Sequence, residues 1–134
     1  MKMSSKARYG LYVAVELAKN YDSGSVVNVS SLSLSTGVTE KYLEQIIALM
    51  KKANIVESLR GASGGYKLTT SPENVSVGRI LRAVEDNLEI VDCLHNGCAN
   101  HQKCVARNLW GKLYDNINSY LDTITLTQLA EDNL

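Results

Sequence analysis

Two short helical patterns separated by a glycine, in the first half of the chain, constrain the fold more than any other feature. Ser30 to Ser35 reads as a short helix that ends at Thr36-Gly37. Thr39 is a suitable N-cap for a second helix, Glu40 to Ala53. The apolar residues of this second helix recur at helical spacing and form one stripe: Leu43, Ile46, Ile47 and Met50. Two helices joined by a tight turn, the second with a polar outer face, predict a helix-turn-helix.

A glycine-rich hairpin is predicted directly after this unit. Ile55 to Leu59 and Tyr66 to Thr70 have the composition of strands, and the residues between them include Gly61, Gly64 and Gly65. A helix-turn-helix followed by a hairpin is the outline of a winged helix. The glycines match neither a P-loop nor a dinucleotide-binding fingerprint, and no helix follows them, so a nucleotide site is disfavoured.

Helical patterns also lie on both sides of the winged helix. One helix is predicted from Ser5 to Tyr21, another begins at Ser76, and a long helix runs from Cys104 to about Thr123. Apolar residues of the long helix follow the spacing of a short coiled-coil seam: Ala106, Trp110, Leu113, Ile117, Tyr120 and Ile124. A capping box predicts a short last helix: Thr125-Leu126-Thr127-Gln128. The expected fold is mainly α with a small β-hairpin, a winged helix-turn-helix followed by a long C-terminal dimerisation helix.

The charges of the chain are unevenly distributed. The 134 residues include 14 basic and 14 acidic side chains, so the formal net charge is zero. Residues 1–70 carry nine Lys or Arg against five Asp or Glu, whereas residues 71–134 carry five against nine. The positive excess in the first half favours a polyanionic partner such as double-stranded DNA. Random scatter of the charges is the alternative.

The sequence predicts a cytoplasmic protein without a membrane-spanning helix. No run of about 18 consecutive apolar residues occurs. Lys2, Lys6 and Arg8 precede an apolar stretch, as in a signal peptide, but Glu16 interrupts that stretch and no small-residue cleavage site follows. Disulfides are disfavoured in the cytoplasm, so the three cysteines are expected to be thiols or metal ligands.

The polar face of helix 40–53 and the tip of the hairpin are the candidate DNA-contacting surfaces. The helix face includes Lys41, Glu44, Gln45, Lys51 and Lys52. Gln45 can pair with adenine and Glu44 can accept a hydrogen bond from cytosine, whereas the lysines suit phosphates. Arg60 at the hairpin tip suits the minor groove, where the potential is negative. A solvated helix face and an ordinary flexible hairpin are the alternatives.

Cys93, Cys98 and Cys104 lie in one hydrophilic stretch of an otherwise cysteine-free chain. Their neighbours are mostly residues that pack poorly in a core, so the stretch needs something to order it. Soft thiolates favour an iron–sulfur cluster, while zinc is less favoured because the spacing is looser than in zinc knuckles. Free redox thiols are a third interpretation. No Cys/His pair has a recognisable nucleophile context, so an enzyme is not expected.

Four stretches of the sequence together match one known family. They are Ser5-Lys6-Ala7-Arg8-Tyr9-Gly10, Tyr42-Leu43-Glu44-Gln45, Arg60-Gly61-Ala62-Ser63-Gly64-Gly65-Tyr66, and the three-cysteine loop before a Trp-containing helix. With these, the chain resembles over nearly its whole length the winged-helix regulators typified by IscR, NsrR and CymR. The cysteine loop, with Leu109-Trp110 and Ile124-Thr125-Leu126, looks most like the IscR branch. The N-terminal half is closer to CymR, a regulator of cysteine metabolism that lacks the cysteines.

The resemblance implies a homodimer that forms through the long C-terminal helix and binds a pseudo-palindromic operator in double-stranded DNA. It implies a [2Fe–2S] cluster, with [4Fe–4S] as the alternative, held by Cys93, Cys98 and Cys104. Residues 1–75 then form the winged helix-turn-helix, and residues 76–134 form the cluster-binding loop and dimerisation helices. The candidate DNA-binding residues are Lys6, Arg8, Thr39, Lys41, Tyr42, Glu44, Gln45, Arg60, Ser63 and Gly64.

The fourth ligand of such a cluster stays open. The IscR branch has a ligating histidine three residues after the last cysteine, where this chain has Arg107. NsrR instead uses an acidic residue of the first helix, and Arg8 stands near that position here. The first cysteine gap is also one residue shorter than is typical of IscR. The candidates are His101, His95, a nearby carboxylate or an exogenous molecule.

The expected function is that of a dimeric, cluster-sensing transcriptional regulator of the repressor type. Its targets would be genes of iron–sulfur biogenesis or related redox and sulfur genes. The alternative is a CymR-like repressor of cysteine metabolism that acts with a protein partner and uses its cysteines as redox thiols or a zinc site. A second alternative is a small thiol enzyme or metallochaperone that does not use DNA.

Overall fold

The computed structural model describes residues 2–134. In this range the elements are α1 (Ser5–Lys19), α2 (Val29–Thr36), α3 (Glu40–Lys52), β1 (Val56–Leu59), β2 (Gly65–Leu68), α4 (Val77–Val84), α5 (Arg107–Thr123) and α6 (Leu126–Ala130). Short 3₁₀ turns cover Pro72–Asn74 and Asp92–Leu94. None of the helices described is long and apolar enough to cross a membrane. The prediction of a mainly α fold with a small β-hairpin is confirmed.

Local hydrogen bonds define the helix-turn-helix. Asn28 Oδ1 accepts a hydrogen bond from Ser31 N (2.8 Å) and caps the start of α2. Gly37 ends α2 in the left-handed region at φ 71°, a conformation that favours glycine. Thr39 Oγ1 accepts from Tyr42 N (3.3 Å) and caps α3. The predicted turn and the predicted N-cap are therefore both confirmed.

Asn54 turns the chain from α3 into the hairpin. Its backbone is left-handed, at φ 63°. Asn54 N donates to Lys51 O (3.0 Å) and Ile55 N donates to Met50 O (2.9 Å), the two hydrogen bonds of a Schellman motif. Because Ile55 belongs to this helix-ending motif, β1 begins at Val56 and not at the predicted Ile55.

The hairpin is an antiparallel ladder that runs from Val56 opposite Leu68 to Leu59 opposite Gly65. Its second strand begins one residue before the predicted Tyr66, because Gly65 already pairs across the ladder. The strand ends at Leu68, two residues early, because the chain bends at residues 69 and 70.

One cluster of buried side chains joins the winged helix to the C-terminal helices. Its members are Ala7, Val13, Ala14, Leu17, Leu32, Leu43, Ile46, Ile47, Met50, Ile55, Val56, Leu68, Val75, Val77, Ile80, Leu81, Val84 and Leu126. The apolar stripe predicted for α3 is buried in this cluster. Removal of this apolar surface from water is the main favourable term in folding, and it orients the polar side of α3 outward.

The helices after the hairpin begin with the predicted caps. Ser76 Oγ accepts from Arg79 N (3.1 Å) at the start of α4. Thr125 and Gln128 form the capping box of α6, with the Gln128 side chain accepting from Thr125 N (2.9 Å). Both predicted helix starts are confirmed, because these caps depend on residues within a single turn.

Two helices are shorter than predicted. α1 ends at Lys19, two residues early, because the Asn20 side-chain amide donates to Glu16 O (2.8 Å) and residues 20–24 form turns. α5 begins at Arg107, three residues after the predicted Cys104, because residues 99–103 and 105–106 form turns. All three cysteines therefore precede α5.

Candidate functional site

The outer face of α3 carries the predicted DNA-contacting residues of this helix. Lys41, Glu44 and Gln45 are exposed, whereas Tyr42 is half-buried. The opposite stripe of the helix lies in the core, so packing fixes the direction in which these polar side chains point. A helix that projects polar side chains from one exposed face has the form of a helix that enters the major groove.

Thr39 and Glu40 hold the first turn of α3 in place. Thr39 is exposed and caps the helix through its hydroxyl group. Glu40 Oε1 accepts a hydrogen bond from Ser30 Oγ (2.8 Å), which joins α3 to α2. Thr39 thus has a structural role in addition to any contact that it makes with DNA.

A contact between two tyrosine rings places the beginning of α1 against the beginning of α3. The rings of Tyr9 and Tyr42 meet edge-on, with centroids 6.4 Å apart and planes at 84°. The Arg8 guanidinium carbon lies 5.9 Å from the centroid of Tyr9, and Arg8 is exposed. Lys6, about one helical turn before Tyr9 on α1, is half-buried. The structure therefore brings Arg8, the neighbour of Tyr9, to the end of α3 that carries Tyr42.

The hairpin tip, residues 60–64, exposes the two predicted polar contacts of the wing. Arg60 and Ser63 are exposed. Gly64 N donates to Gly61 O (3.0 Å) and closes a tight turn. A side chain at position 64 would collide with the carbonyl oxygen of Leu59, so the turn itself requires glycine there.

A lysine of α3 ties the recognition helix to the wing. Lys51 Nζ donates to Ser58 Oγ (3.0 Å) on β1. Across the hairpin, Lys67 Nζ lies 3.4 Å from Glu57 Oε1. Lys51 therefore contacts the wing in the free protein, while Lys52 is exposed at the end of α3.

The cysteine segment, residues 92–104, lies within the connection between α4 and α5, on the surface of the protein. Cys93 and Cys98 are partly exposed, Cys104 is exposed, and all three are free thiols. No three His, Cys, Asp or Glu side chains of residues 2–134 lie close enough together to hold a metal ion. The structure thus places the predicted ligands in one segment without gathering their side chains, and shared ligation requires the segment to change conformation.

Arg107 fastens the cysteine segment to the start of α5. Its Nη1 donates to Cys93 O and its Nη2 donates to Leu94 O, each at 3.3 Å. A guanidinium has no lone pair with which to bind a metal. The residue that stands in place of the IscR-branch histidine is therefore a hydrogen-bond donor to the turn that contains the first thiol.

His95 is held between two residues outside the cysteine segment. Its Nδ1 lies against Glu89 Oε1, and its ring packs edge-on against Tyr114 of α5, with centroids 5.4 Å apart. The Glu89 side chain is 10% exposed, whereas that of His95 is 56% exposed. Sequence reasoning missed Glu89, although an acidic residue within the apolar run Leu88–Val91 is a signal that was available.

Arginines of α4 connect α5 with the recognition helix. Arg82 donates to Asn118 Oδ1 (3.1 Å) and pairs with Asp122, both on α5. Arg79 Nη2 donates to Asn54 O (3.4 Å), at the end of α3. Sequence reasoning did not single out either arginine, because their partners are distant in the sequence.

Apolar side chains of α5 are exposed in the single chain. Leu109, Leu113 and Tyr120 are 59%, 38% and 62% exposed, and no residue of α5 is fully buried. Leu113 and Tyr120 belong to the predicted coiled-coil seam. Several exposed apolar residues along one helix are typical of an interaction surface.

Comparison with known proteins identifies the family. The sequence profile of the Rrf2 family, described as iron-dependent transcriptional regulators, matches residues 3–132. The chain belongs to the Rrf2 family. Among its relatives, IscR of Aliivibrio salmonicida is 34% identical over 134 residues, which cover 99% of this chain and 79% of that protein. CymR of Bacillus subtilis is 35% identical over 130 residues, which cover 97% of this chain and 90% of that protein.

Solved structures of Rrf2-type regulators share the fold. The structure of B. subtilis CymR, described as the global cysteine regulator of that organism, has a TM-score of 0.81 at 34% identity, covering 98% of this chain and 97% of that chain. The structure of T. potens IscR has a TM-score of 0.80 at 34% identity, covering 100% of this chain and 89% of that chain. The winged-helix prediction and the resemblance are both confirmed.

Membership of the Rrf2 family gives the general activity. The protein is a helix-turn-helix transcriptional regulator, and DNA binding follows from that role. Because the family and the relatives are regulators, the prediction that the protein is not an enzyme is confirmed. Proteins named IscR and CymR are similar to it to the same degree. Similarity alone therefore does not distinguish an IscR-like signal from a CymR-like one.

Proposed function

We propose that this Rrf2 regulator binds a pseudo-palindromic operator as a homodimer and senses an iron–sulfur cluster held by Cys93, Cys98 and Cys104. It would act as a repressor of iron–sulfur biogenesis or related redox and sulfur genes. One observation carries this proposal: three free thiols lie on one polar segment that Arg107 fastens to the start of α5. A change in this segment therefore acts directly on the proposed dimerisation helix.

The exposed residues of α3, α1 and the wing support contacts with DNA. Glu44 and Gln45 would meet base edges, Lys41 and Arg8 would meet phosphates, and Arg60 would enter the minor groove. The remaining proposed contacts come from Lys6, Thr39, Tyr42, Ser63 and Gly64. Because α3 and the wing share the core and the Lys51–Ser58 hydrogen bond, they would dock as one unit.

The exposed apolar residues of α5 support a homodimer. Packing of Leu109, Leu113 and Tyr120 against a second copy of α5 would remove this surface from water. A two-fold axis through the paired helices would place the two copies of α3 in half-sites about 34 Å apart, one turn of DNA.

The donor set of the cysteine segment fits an iron–sulfur cluster. Thiolates are the preferred ligands of iron–sulfur clusters, and all three cysteines are free and at least partly exposed. When bound, a [2Fe–2S] cluster, or alternatively a [4Fe–4S] cluster, would supply a centre that is sensitive to redox state. Residues 92–104 would rearrange to bring their thiols together, and this polar segment would become ordered in the process.

Contacts between α5, α4 and α3 support coupling of the cysteine segment to DNA recognition. Arg107 links the segment to α5, Arg82 links α5 to α4, and Arg79 links α4 to the end of α3 at Asn54. A new conformation of the segment would therefore favour one pose of α3 over another, which is a population shift. Glu44 on α3 would then select between operator classes.

A CymR-like repressor of cysteine metabolism is the second candidate. It is favoured by the similarity to B. subtilis CymR and by the separation of the three thiols in the described residues. In this case the cysteines would serve as redox thiols or as a zinc site, and a protein partner would supply the regulatory signal.

Anaerobic purification with metal and sulfide analysis tests the proposal. We expect a brown protein that contains iron and acid-labile sulfide, both of which are lost when Cys93, Cys98 and Cys104 are all changed to Ala. A colourless protein with one zinc per chain would instead support the CymR-like function. A protein that binds neither after anaerobic reconstitution with iron and sulfide would overturn the cluster proposal.

DNA footprinting tests the regulator independently of the metal. A protected operator is expected to remain in the triple Cys→Ala variant, though with altered preference, and to be lost in Arg60→Ala. Lys19→Ala is a control for loss of a basic side chain, because Lys19 lies at the far end of α1 and pairs with Glu16 (3.2 Å) on the same helix. A footprint that is equally strong in Arg60→Ala would remove the wing from the proposed contacts.

A further inference from the structure

Arg107 connects the two ends of the cysteine segment. From the first turn of α5, its guanidinium donates to the carbonyl oxygens of Cys93 and Leu94, each at 3.3 Å. The backbone N of Arg107 also donates to Cys104 O (3.4 Å). A single residue therefore holds the turn that carries the first thiol near the residue that carries the last.

Both ends of the segment border the same open space. Leu94 at one end and Cys104 at the other line a cavity of about 500 Å³, which Arg107 also lines. Cys104 is exposed and Cys93 is partly exposed, so both thiols are accessible. The two ends are thus close together without any contribution from the residues between them.

The middle of the segment is held only to itself. His101 N donates to Cys98 O (3.0 Å), and Lys103 N donates to Asn100 O (2.9 Å). In the part of the chain that the structure describes, the hydrogen bonds of residues 98–103 all join residues of this stretch. Cys98 can therefore move with its turn without breaking a hydrogen bond to a helix, and the three thiols can be gathered while both ends stay in place.

The contacts of Arg107 have an energetic consequence for any cofactor that bridges the thiols. Bringing the ends of a flexible segment together costs conformational entropy. Hydrogen bonds from a charged guanidinium are stronger than those between neutral groups, and they hold the ends together when the chain folds. A cofactor that binds both ends then has less of this entropy to overcome, which is preorganisation.

We infer that Arg107 is the positioning residue of the thiol set, because it closes the segment between Cys93 and Cys104 and so strengthens binding of the cluster. This inference rests on the proposed cluster function and assigns a role in assembling the ligands of the same site. A guanidinium cannot bind iron. At the position of the IscR-branch histidine, this chain would thus replace a ligand with a clamp on the ligands that remain.

Cross-linking of thiol pairs in the cluster-free, full-length protein tests the closure. A short bifunctional alkylating reagent is applied to Cys98→Ala, which leaves Cys93 and Cys104, and to Cys104→Ala, which leaves Cys93 and Cys98. Adding Arg107→Gln is expected to slow cross-linking of the first pair by about 10-fold, because the charged hydrogen bonds are lost. The second pair should change little, since Arg107 does not span it. Rates of alkylation with a monofunctional reagent correct for altered thiol reactivity.

Cluster retention tests the consequence for the site. After anaerobic reconstitution, Arg107→Gln is expected to hold iron and sulfide about 10–100-fold more weakly against a chelator than the wild type. Arg107→Lys keeps the charge but lacks the planar fork that reaches two carbonyls, so an intermediate loss is expected. Lys112→Ala is the matched control, because it removes an exposed positive charge from the lining of the same cavity. The cluster-free Arg107→Gln protein should unfold at the wild-type temperature, because Arg107 lies outside the buried core.

The outcomes distinguish this inference from the proposed function. Equal slowing of both thiol pairs, or none, would overturn the closure. Wild-type retention in Arg107→Lys, or equal losses in Arg107→Gln and Lys112→Ala, would assign the effect to charge alone and overturn the positioning role. Tighter retention in Arg107→Gln would overturn it as well, while cluster sensing stands. A wild-type protein that incorporates no cluster would overturn the proposed function, whereas the cross-linking rates would still decide whether Arg107 closes the segment.

Discussion

Lys41 and Glu44 are three residues apart on α3, and both are exposed. They therefore share one face of the helix although their charges are opposite. An ammonium group is favourable beside any phosphate, whereas a carboxylate is unfavourable there unless a base such as cytosine donates to it. At the residue scale, the two side chains are thus expected to make different contributions to DNA binding.

Glu44→Ala is expected to relax discrimination at one base pair of each half-site by about 1–3 kcal/mol while general affinity is retained. Lys41→Ala is the matched variant and should weaken binding to all sequences, with the salt slope reduced by about one. Fluorescence anisotropy with single-base operator variants at several salt concentrations measures both effects. A uniform loss of affinity in Glu44→Ala would contradict a role in selectivity.

At the scale of single elements, the start of α3 depends on one hydroxyl group. Thr39 Oγ1 accepts from Tyr42 N (3.3 Å), so Thr39→Ala leaves that donor without its cap. The free energy of unfolding is expected to fall by about 0.5–2 kcal/mol. Thr39→Ser retains the hydroxyl group and should stay close to the wild type. Urea unfolding followed by circular dichroism measures the difference, and equal stabilities of the two variants would contradict the cap.

α4 is the element through which α5 reaches the recognition helix. Arg82→Ala removes the contacts of α4 with Asn118 and Asp122 of α5. We therefore expect the operator affinities of the cluster-loaded and the cluster-free protein to become more alike, so that their ratio moves closer to one. Binding assays on both forms measure this ratio. Lys112→Ala, which removes an exposed charge of α5 outside these contacts, is the control. An unchanged ratio in Arg82→Ala would show that coupling follows another route.

The elements themselves were largely predictable because their signals are local. Gly37, Thr39, Ser76 and Thr125 each act on hydrogen bonds within about one helical turn. The errors occurred where non-local or irregular structure intervened. The start of α5 was predicted too early, at Cys104, because the apolar spacing alone does not indicate that the residues before Arg107 form turns.

At the scale of the whole molecule, the exposed side of α5 is expected to form the dimer. Leu113→Asp places a charge in that apolar surface and should convert the protein to a monomer with little remaining operator affinity. Asn116→Asp adds the same charge at an exposed polar position of the same helix and should remain dimeric. Analytical ultracentrifugation measures both states. A dimeric Leu113→Asp protein would place the interface elsewhere.

The predicted boundary between the winged helix-turn-helix (residues 1–75) and the C-terminal region (residues 76–134) stays a prediction. The buried cluster contains Ala7 of α1 and Leu126 of α6, so the first and last helices share one core. Backbone hydrogen bonds also join Leu126 N to Val75 O (2.8 Å) and Val77 N to Ile124 O (2.9 Å). The short last helix is therefore fastened to the winged helix.

Periodicity, caps and glycine placement determined the helix-turn-helix, the wing and the outward-facing residues of α3, because each of these depends on interactions within a few residues of the chain. The tertiary structure alone decided which residues the charged side chains contact through hydrogen bonds and ion pairs. Arg107 reaches Cys93 O across 14 positions, and Arg82 reaches Asp122 across 40. The Glu89–His95 pair likewise depends on how the segment between α4 and α5 folds back on the helices. Such pairings follow from the packing of whole elements, which no local spacing of residues encodes.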